Sequence, residues 1–151
     1  MSESAALQEL LERVVVGIGL EGSRVEVLED DESLTGIVHG EELGLFIGHH
    51  GQTIDAVQHL AQRTVGAGGE ARRIVIDAEG YRARRATALH RQADDAAAEA
   101  LRNDRAVALD AMVPSERKLV HEHLGERGDV ETWSEGAEPD RHLVIAPLKR
   151  P

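Results

Sequence analysis

Gly48-His49-His50-Gly51 is the stretch of this chain with the clearest chemical use. Two glycines flank a dipeptide, and the apolar run Leu45-Phe46-Ile47 leads into them. Ile54, Val57, Leu60 and Ala61 follow at helical spacing, so a helix is expected from about Gln52 to Val65. Glycine reaches backbone conformations closed to other residues and lets a second backbone come close. A new helix adds N–H groups and the positive end of its dipole, an arrangement that favours phosphate. The same residues also fit a plain tight turn between two helices.

Arg117 and His121 form a second candidate pair, four residues apart and so on one helical face. Arginine offers a planar fork for phosphate, and histidine a ring for hydrogen bonding or stacking. An exposed helical pair is the bland alternative. Lys118 points about 100° away from Arg117 around the helix. Trp133, the only tryptophan, can stack on a base or belong to the core. Eight histidines raise the question of metal, but His49 and His50 are adjacent and His121 and His123 diverge on their helix. No spacing matches a zinc template and there is no cysteine, so no metal and no cofactor is expected. Without a nucleophile elbow, a Walker loop or a dinucleotide fingerprint, no enzyme is expected either.

The elements that must position these residues follow from periodicity. A helix is expected over Ser4 to Val16, capped by Ser4, with Leu7, Leu10, Leu11 and Val14 as its apolar stripe and Gly17 and Gly19 at its end. Arg24 to Leu28 alternates as a strand with Val25 and Val27 on one face, and Leu34 to His39 is expected as a second strand, paired with it as an antiparallel hairpin around the acidic turn Glu29 to Ser33. Glu41 to Ile47 is expected as a short helix, Gly66-Ala67-Gly68-Gly69 as a break, and Arg72 to Ile76 as a strand with Ile74 and Ile76 on one face. Tyr81 to Asn103, rich in alanine and arginine, predicts a long helix with Leu89, Ala93, Ala96, Ala97, Ala100 and Leu101 as a narrow stripe. Val107 to Ala111 is a brief strand candidate, and a helix starting near Pro114 carries Arg117 and His121 to Gly125. Val130 to Ser134 and Arg141 to Ile145 close the chain as a hairpin.

Two longer patterns carry a family resemblance. Leu43-Gly44-Leu45-Phe46-Ile47-Gly48-x-x-Gly51-Gln52-Thr53-Ile54-Asp55-Ala56-Val57-Gln58 resembles the KH domain, and in detail the KH segment of the bacterial Jag (SpoIIIJ-associated) family. Glu116-Arg117-Lys118-Leu119-Val120-His121, followed by Val130-Glu131-Thr132-Trp133-Ser134-Glu135-Gly136-x-Glu138-Pro139-x-Arg141, resembles the R-three-H domain that binds single-stranded nucleic acid. The resemblance implies an α+β chain of two small domains, a type II-like KH domain (1–79, α-β-β-α-α-β) and an R-three-H domain (80–151) that includes the long helix 81–103. It implies nucleic-acid contacts at Ile47, Gly48, His49, His50, Gly51, Arg117, His121 and Arg141, with Ile54 near the groove for bases. It further implies single-stranded RNA, or single-stranded DNA, as ligand, a small single-KH protein as partner, and a link to cell elongation and division. Residues 1–23 precede the first expected strand, so no counterpart is expected for the small N-terminal domain of many Jag proteins. The loop departs from the family in having two histidines where Lys or Arg is usual. Histidine is mostly neutral at pH 7, which leaves backbone N–H groups as the main anchor.

Composition bounds these readings. With 41% hydrophobic but only 2% aromatic residues, the cores must be built from Ala, Val, Leu and Ile. Net charge is −11, yet residues 1–42 hold eleven acidic residues against Arg13 and Arg24 (−9), while residues 63–91 hold seven arginines against Glu70, Asp77 and Glu79 (+4). A locally basic segment on an acidic chain suits nucleic acid without the broad affinity of a basic protein. The absence of a long apolar run or a signal-peptide pattern predicts a cytoplasmic protein with no membrane insertion. Two functions follow: an RNA-binding regulator, or a protein-interaction adaptor that uses the KH fold for docking.

Overall fold

The computed structural model describes residues 1–66 and 72–149, so the expected break at 66–69 lies, after Gly66, outside the described residues. The chain forms two compact units, Met1–Arg82 and Ala83–Pro151.

The first unit runs α1 (Glu3–Gly17), β1 (Arg24–Glu29), β2 (Ser33–His39), α2 (Gly44–Ile47), a 3-10 turn (His49–Gly51), α3 (Gln52–Thr64) and β3 (Arg73–Ala78). This is the expected α-β-β-α-α-β order. β1 pairs antiparallel with β2, and β2 pairs parallel with β3. The register sets Leu34, Gly36 and Val38 opposite Ile74, Ile76 and Ala78, which makes one continuous buried face. Leu7, Leu11 and Val15 from α1 and Ile54, Val57 and Ala61 from α3 complete that core. A Cβ on Gly36 would lie 2.4 Å from Leu11 Cδ1, so this glycine lets α1 rest directly on the sheet. The outer edge of β3 is not left bare. Gln58 accepts the Ile76 N–H at 2.9 Å and Gln62 accepts the Ile74 N–H at 3.2 Å, two side chains one helical turn apart on α3.

The first unit departs from the expected local pattern at three points. The cap of α1 is Ser2, whose Oγ accepts the Ala5 N–H at 3.1 Å from an extended backbone, and not Ser4, which lies inside the helix. α2 is a single turn beginning at Gly44, shorter than the expected Glu41 to Ile47; ahead of it Leu43 is buried and the Gly40 N–H is held by the Glu79 carboxylate. On α3, Leu60 belongs to the exposed side of the helix.

The second unit contains most of α4 (Tyr81–Asn103), then β4 (Val107–Ala108), α5 (Pro114–Gly125), β5 (Val130–Glu135) and β6 (His142–Pro147). Its sheet is antiparallel with the order β4-β6-β5. Leu89, Ala93, Ala96, Ala97 and Ala100 of α4 pack with Val120, Leu124, Leu143 and Ile145, whereas Leu101, expected in the same stripe, is exposed. Of the strand expected over Val107 to Ala111, only Val107–Ala108 forms β4, opposite Ile145 and Val144, and the Leu109 N–H adds one bond to the Leu143 carbonyl. Arg85 grips the buried Glu116 with two bonds, Nε to Oε1 at 2.7 Å and Nη2 to Oε2 at 3.2 Å, which ties α4 to the first turn of α5.

His39 supplies a pH-sensitive tie in the first unit. Its Nε2 lies 3.0 Å from Glu26 and its Nδ1 3.0 Å from Glu79. Both contacts are hydrogen bonds only when the ring carries two protons. The bond to Glu26, helped by that to Glu79, raises the His39 pKa above its ordinary 6.5, against partial desolvation and the charge of Arg24. A raised pKa gives stability that is complete below 6.5 and lost as pH rises through the folded value. Thermal melts between pH 6 and pH 9 should therefore show a loss of stability in the wild type that is smaller in His39→Gln. Identical pH profiles for the two proteins would mean that the clamp does not hold the charged ring.

Candidate nucleic-acid interface

The glycine loop has a backbone that its two glycines alone permit. Gly48 has φ 76° and ψ 177°, His50 φ 53°, and Gly51 φ 81°, so the chain reverses tightly before α3 begins. Histidine tolerates the left-handed region better than most side chains; the Gly48 conformation is essentially restricted to glycine. Space is as tight as conformation. A Cβ on Gly48 would sit 2.2 Å from Thr53 Oγ1 and 2.8 Å from the Thr53 amide nitrogen, and one on Gly51 would sit 2.8 Å from the Tyr81 hydroxyl oxygen. Thr53 and Tyr81 thus shape the loop from beneath, a role that nothing in the sequence pattern signalled.

α3 starts from Gly51 with no side-chain cap, which leaves its N-terminal turn open to an anion. Both histidines are exposed, and their rings stack with centroids 3.8 Å apart. Ile47 is half-buried against the first core, so only part of it is free for a groove, and Ile54 is fully buried. Leu45 is the exposed apolar side chain beside the loop, at 68%.

The second candidate set gathers around the turn between β5 and β6. The side chain of Arg117 is only 11% exposed. It donates to the Met112 carbonyl and to the carboxylate of Glu138. Arg141 donates to the Gly136 carbonyl at 2.6 Å, and its own carbonyl accepts the Met112 N–H. Arg117 and Arg141 therefore meet the same turn and the same methionine backbone. His121, one turn further along α5, is exposed and holds the Thr132 hydroxyl. Trp133 resolves toward the surface: it is 37% exposed, its ring N–H donates to Glu135, and it alternates with Thr132 and so stands on the other side of the strand. Lys118 is exposed and reaches Glu122 at 3.9 Å.

The basic segment 63–91 is less free than its composition suggests. Arg72 is held by Glu29 and Glu3, Arg82 by Asp55, and Arg85 by Glu116. Arg63, Arg73 and Arg91 are its exposed arginines without an ion pair among the described residues. Two other histidines stack, His90 on His123 at 4.1 Å, with His123 Nε2 3.0 Å from Asp94. Among the described residues no three His, Asp or Glu side chains are arranged to hold a metal ion, and no helix is long and apolar enough to cross a membrane.

Known proteins share this organisation. The family model for the KhpA/KhpB KH domain matches residues 8–76, and that for the R-three-H domain matches residues 87–147. The chain belongs to the KhpB (Jag) family. The KhpB of Lactiplantibacillus plantarum is 43% identical over 104 residues, which are 68% of this chain and 32% of that protein. The KhpB of Clostridium symbiosum is 36% identical over 127 residues (83% of this chain, 57% of that protein), and that of Bacillus subtilis 33% over 127 residues (82% and 61%). Each of these is named an RNA-binding protein. The chain spans 32–61% of the length of these KhpB proteins.

The loop geometry makes a direct prediction. Gly48→Ala should lower the unfolding free energy by about 2 kcal/mol or more, and Gly51→Ala by about 1–2 kcal/mol. Adding Thr53→Ala to Gly48→Ala should recover only part of the loss, since the Thr53 amide nitrogen remains in the way. Urea denaturation followed by circular dichroism measures this; a neutral Gly48→Ala would refute the backbone argument.

Proposed function

We propose that this chain is an RNA-binding regulator that grips single-stranded RNA at the Gly48–Gly51 loop and at the Arg117, His121 and Arg141 region. The KH domain is assigned to 1–79 and the R-three-H domain to 80–151. The observation that carries the reading is the exposed, glycine-dependent loop opening onto the uncapped α3, in a chain whose curated relatives are named RNA-binding proteins. Phosphate meets the helix N-terminus, the stacked rings of His49 and His50 offer a surface for ribose or base, and Leu45 and the exposed part of Ile47 line the approach. Each site alone is weak, and linkage of the two raises the overall affinity for a long strand. A small single-KH protein as partner, and a connection to cell elongation and division, complete the proposal on the family resemblance.

One observation favours the adaptor reading. Arg72, Arg82 and Arg85 spend their charge on internal carboxylates in a chain of net charge −11. The two readings separate in a fluorescence anisotropy titration with single-stranded and duplex RNA at two salt concentrations. The RNA reading expects single strands to bind better, with affinity falling as salt rises. His49→Asp with His50→Asp should weaken binding, Lys at both positions should strengthen it, and His121→Ala should weaken it independently. No detectable binding at low salt would leave the adaptor reading in its place.

A further inference from the structure

The arginine that opens the R-three-H motif is already occupied. Its guanidinium is almost buried, and its two contacts differ in kind. The Met112 carbonyl is a fixed backbone partner in the unit's interior, since Met112 is 5% exposed. The other partner, the carboxylate of Glu138, is 52% exposed and sits on the turn between β5 and β6. The side of Arg117 that reaches solvent is thus covered by an acidic group of the chain itself.

A carboxylate and a phosphate diester present the same ligand to arginine: a pair of oxygens sharing one negative charge, matched to the N–H fork. Arg141 approaches the same turn through the Gly136 carbonyl, and His121 follows one helical turn away. We infer that Glu138 occupies, in the free protein, the position at Arg117 that a backbone phosphate takes when RNA binds. This rests on the RNA-binding reading and adds a residue that sets its strength. Exchange is inexpensive, because the half-exposed Glu138 returns to water when displaced, while Arg117 keeps its Met112 bond and its orientation. Glu138 thereby acts as an internal competitor that screens out weakly held anions, and affinity at this site is the difference between two ion pairs.

The test is the affinity of a labelled single-stranded oligouridylate for the full chain, its Glu138→Gln variant, the Asp140→Asn variant from the same turn, and each in an Arg117→Gln background. Displacement predicts that Glu138→Gln binds about two- to five-fold more tightly, the range set by loss of one exposed ion pair. It predicts that Asp140→Asn gains clearly less, and that the Glu138→Gln gain vanishes when Arg117 is Gln. Unchanged or weaker binding by Glu138→Gln overturns the inference and makes Glu138 a support for Arg117. An equal gain in Asp140→Asn, or one that survives in Arg117→Gln, overturns it too, as a general effect of removing acid. If neither wild type nor Glu138→Gln binds, the RNA reading itself fails. Should Arg117→Gln not fold, the guanidinium NMR signal of Arg117 in the wild type decides. It must shift on addition of RNA, and an unmoved signal overturns the inference.

Discussion

The left-handed backbone at Gly48 and Gly51 is the constraint on which the candidate interface depends. It turns the chain sharply enough for α3 to start without a cap, and it does so over Thr53 and Tyr81, which leave no room for a Cβ. The loop is then held at a fixed place by the core beneath. Phe46 before it and Ile54 after it are fully buried, and Tyr81, at the start of α4, packs against the first core. A flexible glycine loop would have to be ordered at the moment of binding; this one is ordered in advance by its own packing.

Charge in this chain is spent largely on itself. The carboxylates of α1, β1, α3 and α5 hold Arg72, Arg82 and Arg85, and Glu138 holds Arg117. The pair of Arg85 with the buried Glu116 is structural, because removal of Arg85 would take two hydrogen bonds from a carboxylate held away from water. Composition counts these arginines as available cations, whereas geometry does not. A nucleic-acid site in such a protein relies on backbone amides, ring surfaces and a few exposed arginines, with weak long-range attraction.

Much of the fold was legible because helical and strand periodicities are local properties of the sequence. The buried pair Ile74 and Ile76 of β3, the alanine stripe of α4 and the start of α3 at Gln52 all follow from spacing alone. What spacing could not supply is contact across the chain. The four-residue interval between Arg117 and His121 puts them on one helical face, but it does not say that one guanidinium meets Glu138 and Met112 while the ring meets Thr132. Gln58 and Gln62 read as polar helix residues until the bare edge of β3 gives them a task. Tyr81 read as the first residue of a helix, and only the structure brings its hydroxyl against Gly51. Ser2 displaced Ser4 as cap by a choice between two serines that local pattern does not make.

We propose that RNA touches this chain at the Gly48–Gly51 loop and at the helix that carries Arg117 and His121. Backbone amide NMR of the isotopically labelled full chain, titrated with a single-stranded RNA oligonucleotide, tests it most directly. The account predicts that the largest shifts fall on residues 48–53, with a second group around 117, 121, 138 and 141. Shifts confined to other surfaces, with the amides of 48–53 unmoved at saturation, would contradict it.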